Sequence, residues 1–203
     1  IEKAISIHRS IIARDKISEN IRLRALKELA LDFDRGGFID KAIETYQDVL
    51  KVNWNELIAK GGKTYVVGNL PYYITSPILF SLLEHRDIFE DAILMMQKEV
   101  AERLAADIST KAYGILSVQT QLMSSVELLF DVSPNSFSPP PKVQSSVLRL
   151  TFDQPELECS DQNLKTVVRT AFNQRRKKIS NSLKPVLGDL RPEGYDFDLR
   201  PEN

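Results

Sequence analysis

Asn69-Leu70-Pro71-Tyr72 is the stretch of this 203-residue chain whose residue types and spacing could do chemistry. The Asn69 side-chain oxygen and the Leu70 carbonyl are two acceptors on adjacent residues; Pro71 fixes φ after that carbonyl and brings no competing N–H. Two acceptors suit an amino group. The exocyclic amine of a nucleobase is a poor nucleophile because its lone pair is delocalised into the ring. Two hydrogen bonds from its N–H groups would draw the nitrogen toward tetrahedral geometry and release that pair. Tyr72 would stack on the base and orient it. No histidine or carboxylate need act as base at the outset, and the two histidines, His8 and His85, stand far apart in sequence.

Such a tetrapeptide needs a rigid mount. Tyr65-Val66-Val67 is a β-rich apolar run stopping at Gly68, which predicts a buried parallel strand with the tetrapeptide at its carboxyl end. Ser76-Pro77 predicts a helix start, with Ser76 as N-cap, Pro77 at the first helical position, and Ile78, Leu79, Leu82 and Leu83 as the apolar face. In an open α/β sheet, ligands bind at that kind of strand-to-helix turn. Further on, Ala92 to Met96 predicts a second buried strand and Lys98 to Ala106 a helix. Ala112 to Leu122 reads as a helix, Val126 to Val132 as a strand, Ser133 to Pro141 as a loop, and Ser145 to Phe152 as a returning strand. Asp153 to Asp161 reads as a linker. The rest reads as helical, Phe172, Ile179 and Leu183 forming the apolar side opposite the basic residues.

Asn69-Leu70-Pro71-Tyr72 resembles the (N/D/S)-(L/P)-P-(Y/F) motif of amino-group methyltransferases that use S-adenosylmethionine. Three further blocks follow in the order of the KsgA-type rRNA adenine dimethyltransferases: Gln97 to Leu104, Phe137 to Ser145, and Phe172 to Lys178. The resemblance covers residues 47 to 203 and implies an α/β fold. It places an incomplete Rossmann-like methyltransferase domain over residues 47–152 and a small α-helical rRNA-binding domain, expected to be truncated, over residues 153–203. The implied activity is transfer of methyl groups from S-adenosylmethionine to the N6 amino groups of two adjacent adenosines near the 3′ end of small-subunit rRNA, in ribosome biogenesis. By the same resemblance Asn69, Leu70, Pro71, Tyr72 and Phe137 are catalytic, Phe137 stacking the flipped base opposite Tyr72. Asp48 and Asn69 would serve the cofactor, and Lys142, Arg175, Arg176, Lys177 and Lys178 the RNA.

The first 46 residues read differently. Leu26, Leu29, Ala30, Phe33, Gly37, Ala42 and Tyr46 fall near the spacing of a tetratricopeptide repeat, with Gly36-Gly37 as its turn, and the segment resembles repeats of LapB-type envelope-assembly proteins. The plain alternative is an amphipathic helical pair. Tyr46-Gln47-Asp48-Val49-Leu50 either finishes a repeat helix or ends a strand whose Asp48 contacts the cofactor's adenine. The family opens with a strand and a glycine-rich turn that cradles the methionine part of the cofactor, and none of the eight glycines forms such a turn ahead of residue 47. That would leave the strand ending at Gly68 an exposed edge, open to pairing with another chain.

Bulk composition sets the remaining bounds. At 42% hydrophobic and 27% charged, the chain has the composition of a soluble globular protein. Cys159 is the only cysteine, which excludes an intrachain disulfide and a zinc cluster and fits a reducing cytoplasm. No metal site is expected. No apolar run approaches the roughly 20 residues of a membrane span, and the chain, opening at Ile1, is expected to be an excerpt of a longer one. Net charge is −1, but from Lys165 to Lys184 there are seven basic residues and no Asp or Glu. That density suits a phosphate backbone, and the lack of acidic partners at helical spacing argues against a salt-bridged face.

Two rival readings follow from the same residues. Without the glycine-rich turn, the chain could be a non-catalytic rRNA-binding or assembly module, or a fusion of two gene pieces. The N-terminal helices could also dock a protein partner and bring the RNA-binding half to it.

Overall fold

The structure is a computed structural model that describes residues 1–14, 16–36, 41 and 64–203. Asp48 and the joint at 46–50 lie outside the described residues, as do Gly37, Ala42 and Tyr46 of the repeat-like pattern. The chain divides into two compact units, Ile1–Thr64 with Pro71–Ile88, and Tyr65–Leu70 with Phe89–Asn203.

In the first unit, α1 (Glu2–Ile12) packs on α2 (Glu19–Arg35). Glu2 in the first turn of α1 and Arg9 in its last complement the helix dipole. Leu29 and Ala30 of α2 are buried with Ile74, and Ile5, Ile12 and Ile78 pack around them. His8 Nδ1 lies 2.7 Å from Asp32 Oδ2, a polar tie between the two helices with Asp32 buried. The apolar face of the helix pair is therefore covered by Ile74 and Ile78 from the segment after the tetrapeptide. A 3-10 turn at Tyr72–Ile74 runs directly into α3 (Thr75–Glu84).

That entry corrects the expected helix start. The N-cap is Ile74, not Ser76, because the 3-10 turn delivers the chain already coiled. The Thr75 hydroxyl lies 3.1 Å from the Pro71 carbonyl oxygen and 3.4 Å from that of Tyr72. Pro77 falls in the first helical turn, where an N–H would have no intrahelical acceptor. Leu79, Leu82 and Leu83 are buried as the apolar spacing predicts.

The second unit is built on a mixed four-stranded sheet of β1 (Tyr65–Asn69), β2 (Asp91–Gln97), β3 (Ser125–Val132) and β4 (Ser145–Thr151), in the order β1-β2-β4-β3. β1 runs parallel to β2, whereas β4 is antiparallel to both β2 and β3. The central strands carry the core. Ala92, Leu94 and Met96 of β2 and Leu148 and Leu150 of β4 are fully buried, as the period of two requires on one face. Each large side chain of that set contributes about 1.5–3 kcal/mol by burial. α4 (Lys98–Leu104) packs on β2 and β4, and α5 (Ile115–Met123) on α4 and β3. α6 (Asp161–Asn173), capped by Ser160, packs on α5, followed by the short α7 (Ile179–Ser182) and α8 (Lys184–Leu187).

Two further expectations are corrected in this unit. β1 is not buried: Tyr65 is 57% and Val67 79% exposed, because β1 ends the sheet among the described residues. The basic run does not ride on a helix, since α6 stops at Asn173 and Arg175 to Lys178 occupy the turn before α7.

Candidate functional site

Asn69 closes β1 opposite Met95 of β2, with its side chain exposed and no hydrogen bond to it among the described residues. The next residue is held from both sides. The Leu70 N–H donates to the Met95 carbonyl at 2.8 Å, and the Leu70 side chain is buried. The Leu70 carbonyl accepts no hydrogen bond among the described residues. The pairing thus anchors Leu70 by its N–H and leaves two acceptors, the Asn69 amide oxygen and the Leu70 carbonyl, without a hydrogen-bond partner among the described residues. Pro71 (φ −60, ψ 130) keeps the chain extended before Tyr72 opens the 3-10 turn, with Tyr72 half-buried. Gly68 is not required by backbone strain; a Cβ there would meet side-chain carbons of Leu70 and Leu94 at 3.5 and 3.7 Å.

Phe137 lies on the loop from β3 to β4, residues 133–144. A 3-10 turn at Pro134–Ser136 is capped by the Ser133 hydroxyl, and the Phe137 N–H donates to the Pro134 carbonyl at 3.1 Å. Phe137 is half-buried and Lys142 exposed. Pairing puts this loop at the sheet end that carries Asn69: Val132 and Gln97 both face Ser145, and Met95, partner of Asn69, lies two residues before Gln97. The Lys98 N–H donates to the Gln144 carbonyl at 2.9 Å, fastening the loop's far end to the start of α4.

A polar cluster that the sequence did not signal fixes the root of this loop. Lys98 Nζ lies 2.5 Å from Asp131 Oδ2, and the Ser146 hydroxyl donates to Asp131 Oδ1 at 2.5 Å. The hydrogen bond from Lys98, followed by that from Ser146, holds the Asp131 carboxyl below the usual carboxylate range, and the same bond to Asp131 raises the Lys98 ammonium. Lys98 was read from the sequence only as the start of a helix. Its partner is 33 positions away, beyond any local pattern.

The basic run also differs from expectation. It does have acidic partners, supplied from the end of the chain: Arg175 pairs with Glu202, and Lys178 Nζ lies 3.0 Å from Asp198 Oδ1. Arg176 and Lys177 are exposed and make no ion pair among the described residues. The described residues hold no group of three or more His, Cys, Asp or Glu placed for a metal ion, and no described helix is long and apolar enough to cross a membrane.

Comparison with known proteins places these features in a family context. A family model described as ribosomal RNA adenine dimethylase matches residues 31–193. "Ribosomal RNA small subunit methyltransferase A" of Bacteroides thetaiotaomicron is 44% identical over 189 residues, covering 88% of this chain and 70% of the relative. The protein of the same name from Pseudomonas aeruginosa is 48% identical over 159 residues, covering 76% of this chain and 59% of the relative, so this chain spans less than two thirds of that protein's length. Among solved structures, a dimethyladenosine transferase from Plasmodium falciparum superposes with a TM-score of 0.58 at 28% identity, over 70% of this chain and 57% of that one.

Proposed function

The chain belongs to the ribosomal RNA adenine dimethylase family, and on that premise we propose that it presents the N6 amino group of adenosine in small-subunit rRNA for methylation. The observation that carries this reading is the pair of acceptors at the carboxyl end of β1 that have no hydrogen-bond partner among the described residues. The Asn69 amide oxygen and the Leu70 carbonyl would each accept an N–H of the target amine, and the bond from the Leu70 N–H to the Met95 carbonyl anchors the Asn69–Leu70 peptide to β2. Phe137, on the loop tied to the same sheet end as Asn69, would stack on the extruded base. Arg176, Lys177 and Lys142 are the exposed cations proposed to contact RNA phosphates.

The family is one of S-adenosylmethionine-dependent methyltransferases, and that group, when bound, supplies an electrophilic methyl on sulfonium sulfur. The donor set at Asn69 and Leu70 fits the amine that receives the methyl. It does not by itself hold the methyl donor, and Asp48, assigned to the cofactor's adenine by resemblance, lies outside the described residues. What this chain's own residues do is bind the amine, fix the base plane and draw the amine nitrogen out of conjugation.

Titration calorimetry with S-adenosylmethionine, followed by methyl transfer to a small-subunit rRNA hairpin, tests the reading. Donor binding with transfer that depends on Asn69 upholds it. A folded chain that binds the hairpin but not the donor would instead be a non-catalytic RNA-binding module. The repeat-like reading of residues 1–46, with a docked protein partner, is favoured only by the exposed Ile7 on α1 and Ile21 on α2.

A further inference from the structure

We infer that Arg175 is a positioning residue rather than an RNA contact: it clasps the turn at Thr110-Lys111 to Glu202, and so sets the turn from which Arg176 and Lys177 project. The inference rests on the proposed RNA grip but is carried by separate geometry. All three guanidinium nitrogens donate within the protein. Nε is hydrogen-bonded to Glu202, Nη1 donates to the Lys111 carbonyl at 2.9 Å, and Nη2 to the Thr110 carbonyl at 2.8 Å. The Arg175 side chain is 31% and that of Glu202 23% exposed, so the pair is partly withdrawn from water.

The backbone around the clasp is drawn in with it. The Ser109 N–H donates to the Glu202 carbonyl at 2.6 Å, and Asn203 Nδ2 to the Ser109 hydroxyl at 3.1 Å. Ser109 has φ +67, a left-handed conformation that a non-glycine residue keeps only where its surroundings over-determine it. Three segments distant in sequence, at 109–111, 175 and 202, therefore meet on one guanidinium. The planar fork of arginine makes this possible, and an ammonium has no equivalent geometry. The neighbouring Lys178–Asp198 pair is more exposed and has no carbonyl partners among the described residues, so it is a surface ion pair of small effect.

A phosphate contact and a clasp predict opposite signs for one substitution. If Arg175 gripped phosphate, Glu202→Gln would remove a competing anion and tighten RNA binding, and Arg175→Lys would be tolerated. If it is a clasp, both variants weaken binding of a small-subunit rRNA hairpin several-fold, and both speed amide hydrogen exchange at Ser109. Arg176→Ala, by contrast, lowers the slope of log affinity against log salt by roughly 0.9 and leaves Ser109 exchange unchanged. Tighter binding by Glu202→Gln, or wild-type Ser109 exchange in Arg175→Lys, overturns the inference. If the unsubstituted chain binds no hairpin, the RNA reading fails, and Ser109 exchange alone decides the clasp.

Discussion

Lys98 Nζ sits 2.5 Å from Asp131 Oδ2, so the first residue of α4 is bonded to the end of β3 just before the loop that carries Phe137. Because the Lys98 N–H also holds the Gln144 carbonyl, one residue fastens both ends of that loop. The loop is thereby tied to the sheet end where Asn69 emerges.

The protonation of this tie has a definite sign. A lowered carboxyl stabilises the fold above its unfolded pKa and ceases to as pH falls through the lowered folded value. A raised ammonium stabilises it below its unfolded pKa and ceases to as pH rises through the raised folded value. With Asp131 lowered and Lys98 raised, the tie is closed across neutral pH and opens only in acid and in strong alkali. In Lys98→Met, NMR titration of Asp131 should move back toward the ordinary carboxylate range, while Ser146 still holds part of the shift. An unmoved Asp131 titration would show that Lys98 does not set it.

Asn69→Ala removes an exposed side chain with no internal hydrogen bond among the described residues, so the fold has little to lose. Methyl transfer to an rRNA hairpin should drop by at least about a hundredfold, the scale for deleting one preorganised polar contact to a transition state. Hairpin affinity should stay near that of the unsubstituted chain. Equal loss of both would point to misfolding rather than to a lost acceptor.

Gly68→Ala is expected to be tolerated, although it lies next to the proposed site. A Cβ would meet Leu70 and Leu94 side-chain carbons at ordinary contact distance, and the backbone is not in the left-handed region. Unfolding by urea should show a change within about 1 kcal/mol, with the entropy of glycine favouring the alanine variant. A larger loss would mean that the backbone must approach a ligand more closely here than the structure shows.

Leu148→Ala cuts into the fully buried face of β4, between β2 and β3. The expected loss is about 2–5 kcal/mol by denaturant unfolding. A value under 1 kcal/mol would indicate that the two central strands are not packed as described.

What the sequence made legible was local. The apolar alternation of Ala92 to Met96 and the turn chemistry around Gly68 located strands and the tetrapeptide, because those signals lie within a few residues of each other. The partners that finish the site were not legible, since they are non-local: Asp131 for Lys98, and Glu202 with the Thr110 and Lys111 carbonyls for Arg175. No acid stands four residues from Arg175, and its acidic partner lies 27 positions downstream. The insertion of β4 between β2 and β3, and the register shift between Leu128 and Phe130, are likewise set by pairing and not by periodicity.

β1 supplies the last test. It ends the sheet among the described residues, and its side chains are exposed where the apolar run predicts burial. Val67, 79% exposed, contributes little to the core, yet with Tyr65 it forms an apolar strip on a strand with no second partner among the described residues, the arrangement that templates strand addition between chains. Val67→Lys should therefore leave the unfolding midpoint nearly unchanged while reducing self-association in sedimentation velocity at high concentration. A large loss of stability would mean that Val67 is not exposed in solution. Unchanged self-association would mean that copies of the chain meet through some other surface.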